Sequence, residues 1–149
     1  MHKVGLWISP FHPSLLEEAT GLFFTKKRRQ IAVKLWKWFA ENSIAHLTEI
    51  IRFAVELTDN RELVEYYTRL IIEVEDPWSY EGMLEIKGRL LEKATELGVN
   101  LKKVLDDVEY AIGVMKVLGV LFESDEILVY NPSGLVRFLR KIAQEIERG

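Results

Sequence analysis

Residues 120–130 read VLFESDEILVY, and their reading decides the fold. On their N-terminal side the apolar residues recur at helical intervals. Here the period shortens into two β-rich runs, Val120 to Phe122 and Ile127 to Tyr130, around the polar Glu123 to Glu126. Branched and aromatic residues on both sides of a short polar turn predict a β-hairpin. The next four residues, NPSG from Asn131, open a closing helix with Leu135, Phe138, Leu139, Ile142 and Ile146 on its apolar face.

Working back from the hairpin, Asn100 caps a helix through Val104, Leu105, Val108, Ile112 and Met115. Ser79 starts the one before it, which carries Met83, Ile86, Leu90, Leu91, Ala94 and Leu97 and stops at Gly98. Pro77 ends a helix that Asp59 and Glu62 open, with Leu63, Tyr66, Tyr67, Leu70, Ile71 and Val74. Ile44, Leu47, Ile50, Ile51 and Ala54 predict a helix over about 44–57, with Asn42 and Ser43 as cap candidates. A helix over about 28–41 places Ile31, Leu35, Trp38 and Phe39 on one face and Lys27, Gln30, Lys34, Lys37 and Glu41 on the opposite one. Ser14 with Glu17 marks a first helix over 14–24, preceded by a short strand or extended arm from Val4 to Ile8. The expectation is a mainly α single domain over 1–149: a helix bundle over 14–98 and a C-terminal part over 100–149. The helix, hairpin and closing helix of that C-terminal part resemble the end of a winged-helix domain.

Composition narrows the function classes. With 149 residues, 48% hydrophobic and 29% charged, the chain can bury one core. No apolar run approaches the roughly 20 residues that cross a bilayer, and the start MHKVGLWISPF is too short and interrupted for a signal peptide. A cytoplasmic protein with no membrane partner is expected. Cysteine is absent, so disulfides, thiolate metal sites and a cysteine nucleophile are excluded. His2, His12 and His46 fall in different elements, so no metal site is expected. GxSxG, GxxxxGK[ST] and GxGxxG are all missing; a noncatalytic protein without a cofactor is expected. Two glutamines, Gln30 and Gln144, among many charged residues lean towards a thermophilic source.

The charge distribution is uneven. The net charge is -3, from 20 basic and 23 acidic residues. Yet Lys26, Lys27, Arg28, Arg29, Lys34 and Lys37 gather with no carboxylate between Glu18 and Glu41. Elsewhere 14 bases face 23 acids. Cations at a helix N-terminus oppose its dipole by about 0.3–1 kcal/mol each, so Lys26 to Arg29 are not there for helix stability. They point to an anion, with a solvated face or an anionic membrane surface as the alternative uses. The helix before the hairpin, EYAIGVMKVLG, has Lys116 as its one cation, a poor endowment for reading a major groove.

The run KKRRQIAVKLWKWFAENSIAHLTEIIRFAVELTDNRELVEYYTRLIIEVED, Lys26 to Asp76, resembles the PriCT-type helix bundle that follows the catalytic domain in archaeal plasmid and viral primase-polymerases. The shared pattern is an arginine pair opening a helix, a short turn over Glu41 to Ser43, a helix with EII, and a polar turn over Asp59 to Glu62. A free-standing chain of this size is also similar to the PriX-type small noncatalytic subunit of archaeal primases. The resemblance implies a replication accessory protein with catalytic and large primase subunits as partners. Its ligands would be a single-stranded DNA or RNA template and, beside it, a nucleoside triphosphate.

From the residues themselves, phosphates would meet Lys26, Lys27, Arg28 and Arg29, with Lys34 and Lys37 along the same helix and Arg61 on the turn that Asp59 and Glu62 mark, at the start of the helix through Leu63. Arg61 also has Glu62 and Glu65 to pair with. Trp36 and Tyr67 are the stacking candidates, as each lies at the edge of its helix's apolar arc. GLFFTKKRR further resembles the latter half of a sliding-clamp-binding box, with Glu17 and Thr20 at its glutamine and aliphatic positions. The competing reading is a winged-helix-type DNA-binding regulator or a protein-interaction adaptor.

Overall fold

The computed structural model describes residues 26–134, together with 137, 140 and 144. It is mainly helical, with a small antiparallel sheet. In chain order the elements are α1 (Lys26–Asn42), β1 (Ile44–His46), α2 (Leu47–Leu57), α3 (Arg61–Glu73), α4 (Tyr80–Leu97), α5 (Leu101–Val117), β2 (Leu121–Ser124) and β3 (Ile127–Tyr130). Ser133, Gly134, Arg137, Arg140 and Gln144 are helical, where the closing helix is expected. The helix over 14–24, the arm from Val4 to Ile8 and the apolar face of the closing helix lie outside the described residues.

α5 is the axis of the bundle. It buries Leu101, Val104, Leu105, Val108, Ala111, Ile112, Val114 and Met115, and it packs mainly against α1 and α2, with α4 and β2 also against it. Each of these side chains larger than alanine contributes roughly 1.5–3 kcal/mol when taken out of water, before entropy is counted. α3 pairs with α4 and α2 through Leu63, Tyr67 and Leu70.

Most helix ends follow the local chemistry of the sequence. Ser79 accepts from the Gly82 N–H, Asn100 accepts from the Lys103 N–H, and Gly98 ends α4 at φ 71, a left-handed conformation that glycine takes at no steric cost. α3 is capped one residue later than expected: Asn60, not Asp59, accepts from the Leu63 N–H at 3.0 Å. Asp59 takes φ 54 in the turn before it.

The larger correction concerns residues 44–46. Instead of continuing a helix, Ile44 to His46 form a strand that pairs with β3, Ile44 opposite Val129 and His46 opposite Ile127. The sheet order is β1-β3-β2. Ser43 turns the chain at φ 64 and its carbonyl accepts from the Tyr130 N–H at 2.8 Å. α2 is therefore capped by His46, whose Nδ1 accepts from the Thr48 N–H at 3.0 Å while the Glu49 carboxylate accepts from the His46 N–H at 3.1 Å. Three residues of strand look like a first helical turn until a partner strand supplies the hydrogen bonds.

Candidate nucleic-acid interface

α1 carries the basic segment, and its two sides behave differently. At 100° per residue, Lys26, Lys27, Gln30, Lys34, Lys37 and Glu41 form one stripe, and all six are exposed. Ile31, Ala32, Leu35, Trp36 and Phe39 form the buried side. Position 28 falls on this buried side.

Arg28 accordingly turns inward. Its Nε donates to Asp107 Oδ1 at 2.8 Å, and its guanidinium lies 4.5 Å from the centre of the Tyr110 ring. Asp107 is 1% exposed and also accepts from Lys103 Nζ at 3.0 Å. Burial pushes the Asp107 pKa up, but the hydrogen bonds from Arg28 and Lys103 outweigh this and hold it below its ordinary value. Arg28 thus ties α1 to α5 and is withdrawn from the phosphate set. Arg29 is half-buried, with its Nε inside.

The remaining lysines border a groove. Lys27, Gln30, Ile31 and Lys34 of α1, Leu57 and Thr58 at the end of α2, and Val99, Asn100 and Val104 around the start of α5 enclose about 320 Å³. Cations stand on its α1 rim, and its lining mixes the apolar Ile31, Leu57, Val99 and Val104 with the polar Gln30, Thr58 and Asn100. α5 begins there without an acidic residue in its first turn, so its N-terminal dipole adds positive potential. A smaller hollow of about 180 Å³ follows along the α1–α2 seam, lined by Trp38, Glu49, Arg52, Phe53, Glu56 and Leu57. Leu57 belongs to both.

The two stacking candidates are placed elsewhere. Trp36 is 6% exposed, edge-on to Tyr130 with ring centres 6.2 Å apart. Tyr67 is buried and donates its hydroxyl to the Thr48 carbonyl at 3.1 Å; burial raises its pKa to about 12. Trp36 is inside because the buried arc of α1 is centred on Leu35, Phe39 and Ala32, one step round the helix from the arc that Trp38 would extend. Trp38 is the half-buried one, against Phe39 and Phe53 with ring centres at 5.1 and 5.9 Å. It borders the lysine stripe, next to Lys27 and Lys34 at 100° per residue, whereas Trp36 falls on the far side of the buried arc; that spacing is the signal that could have found it. Arg61 is almost fully exposed and lies 3.4 Å from Glu65, the pairing its sequence neighbourhood offered.

Among the described residues no group of three or more acids or histidines is arranged to hold a metal, and no helix is long and apolar enough to cross a membrane. Comparison with protein-family models, curated proteins and solved structures finds no match for the chain.

Proposed function

We propose that the chain is a noncatalytic accessory protein of nucleic-acid synthesis, of the primase-subunit kind, that holds a single strand along the α1–α2 seam. The observation that carries this reading is the exposed stripe of Lys26, Lys27, Lys34 and Lys37, two of whose members rim a groove lined by both polar and apolar side chains. Phosphates would lie on the lysines, and a base would lie against Trp38 at the far end of the seam. A nucleoside triphosphate in the groove is the second ligand of this reading. The catalytic and large subunits of a primase are the partners it implies.

The competing duplex-reading mode draws little support from α5. That helix is buried along most of its length, and its Lys116 is tied to Glu123 across to the hairpin. What it leaves for a major groove is mostly paired charge, with Lys102 near Asp106 and Lys103 bound to Asp107.

The test is titration of the full chain with fluorescein-labelled oligo-dT at several salt concentrations. Lys27→Glu with Lys34→Glu should weaken binding about tenfold or more at low salt. The slope of log affinity against log salt should shrink by about 0.7 per lost phosphate contact. Wild-type tryptophan fluorescence should be quenched by the strand, and less so in Trp38→Phe. Equal affinity and equal slope in the lysine variant would remove the proposal.

A further inference from the structure

The sheet has a second apolar face. Side chains alternate along a strand, and the register sets Ile44, Val129 and Phe122 in one row across all three strands, with His46, Ile127 and Ser124 in the next. The inward set, Ala45, Leu128 and Leu121, is buried in the core. The outward set is not: Ile44, Phe122, Val129 and Ile127 are 56%, 51%, 39% and 38% exposed. Trp78, 48% exposed, prolongs the patch, edge-on to the His46 ring at 5.2 Å with His46 Nε2 donating to its carbonyl. Isolated exposed apolar residues need no explanation, but a row across three strands does. β2 also stands at the sheet's edge, and among the described residues no further strand pairs with it.

Charge decides what fits there. Asp125 and Glu126 form the hairpin turn at one end of the face. Glu49 accepts from the His46 N–H, and Asp76 accepts from the Trp78 N–H. Lys116, the cation that the hairpin contacts, is neutralised by Glu123. The border is thus acidic. A second copy docked through this same face would set these acids against their own kind, so a different chain with basic flanks is the better complement.

We propose that the outer face of the sheet, with the edge of β2 that no other described strand covers, docks an extended segment of a partner protein that is apolar at alternate positions and flanked by lysine or arginine. The segment adds as a fourth strand beside β2, and its apolar side chains continue the rows begun by Phe122 and Ile127. This site is independent of the lysine stripe on α1.

The probe is a fluorescein-labelled peptide, KKVTVTVTKK, titrated into the full chain and followed by anisotropy. Saturable binding is expected, weakened about tenfold when glutamates replace the peptide's lysines. Phe122→Glu should lower affinity by a similar factor, although it adds a negative charge that would strengthen a merely electrostatic attachment. Val129→Thr, which keeps shape at an exposed position, should weaken binding measurably and serves if Phe122→Glu disturbs the fold. Lys27→Glu with Lys34→Glu should leave peptide binding intact, which separates this site from the strand-binding one. Absent binding, indifference to the flanking charges, or unaltered affinity in both sheet variants would overturn the proposal. So would sedimentation showing a wild-type dimer that Phe122→Glu converts to a monomer, because the face would then belong to a second copy.

Discussion

At the scale of the residue, Asp107 redefines the basic segment. Its carboxylate is enclosed by the core, with Oδ1 shared between Arg28 and Lys103, and it converts one of the six cations of α1 into a structural tie. Replacing Asp107 by Asn keeps the shape and leaves the two cations facing a neutral amide. A loss of about 2–4 kcal/mol is expected in urea denaturation at neutral pH, below the figure for a fully buried pair because Arg28 and Lys103 reach solvent. The carboxyl is held below its ordinary pKa, so the tie is fully present above the usual carboxylate range. It is lost as pH falls through the lowered folded value, and wild type and Asp107→Asn should converge in acid.

Tyr67 gives the opposite sign. Its pKa is pushed from 10.0 to about 12, chiefly by burial, with Arg52 opposing and Glu49 and Glu56 reinforcing. The unfolded phenol ionises first, so the stability it contributes is intact below about pH 10 and disappears between about 10 and 12. Two pH units correspond to about 3 kcal/mol. Tyr67→Phe should remove that part of the alkaline decline in melting temperature between pH 9 and 12. Tyr130, also raised by burial, continues to act in both proteins.

At the scale of the element, most of the architecture was legible because its signals are local. Ser79, Gly98 and Asn100 mark ends that depend on a cap or a left-handed residue within a few positions, and the hairpin announces itself by composition. β1 was not legible. Ile44 and Leu47 satisfy a helical spacing, and only the pairing with Val129 and Ile127, more than eighty positions away, makes a strand of Ile44 to His46.

The join between α3 and α4 shows the same dependence on distant groups. Thr48 donates its hydroxyl to the Pro77 carbonyl at 2.7 Å, and Gly82 lies directly against the Asp76 carbonyl, where a β-carbon has no room. Gly82→Ala would gain helix propensity in isolation. In the folded chain it should instead cost about 1–3 kcal/mol, because backbone rather than a flexible side chain must move. The melting temperatures of Gly82→Ala and of Gly88→Ala, where a β-carbon meets nothing within 4 Å, supply the contrast: the first should fall and the second should rise slightly.

At the scale of the whole molecule, the chain separates its charges. An acidic protein of net charge -3 shows a lysine stripe along α1 and an acidic border around the sheet's outer face. One surface suits a polyanion and the other a basic segment, so the two binding experiments above should respond to different substitutions while both weaken with salt. The candidate strand site was partly legible: the stripe of Lys27, Lys34 and Lys37 follows from a period of 3.6. Its boundaries were not, since Arg28 and Trp36 turn inward and Trp38 takes the edge of the seam.

What the sequence by itself determined is whatever short-range physics dictates: the helices, most of their caps, the hairpin and the side of α1 that carries its lysines. Only the tertiary structure decided which cations stay exposed, which tryptophan meets solvent, and that a third strand joins the hairpin. Those outcomes hang on partners far along the chain, Asp107 for Arg28, Tyr130 for Trp36 and Val129 for Ile44. A contact between distant residues leaves no periodicity in either segment that makes it.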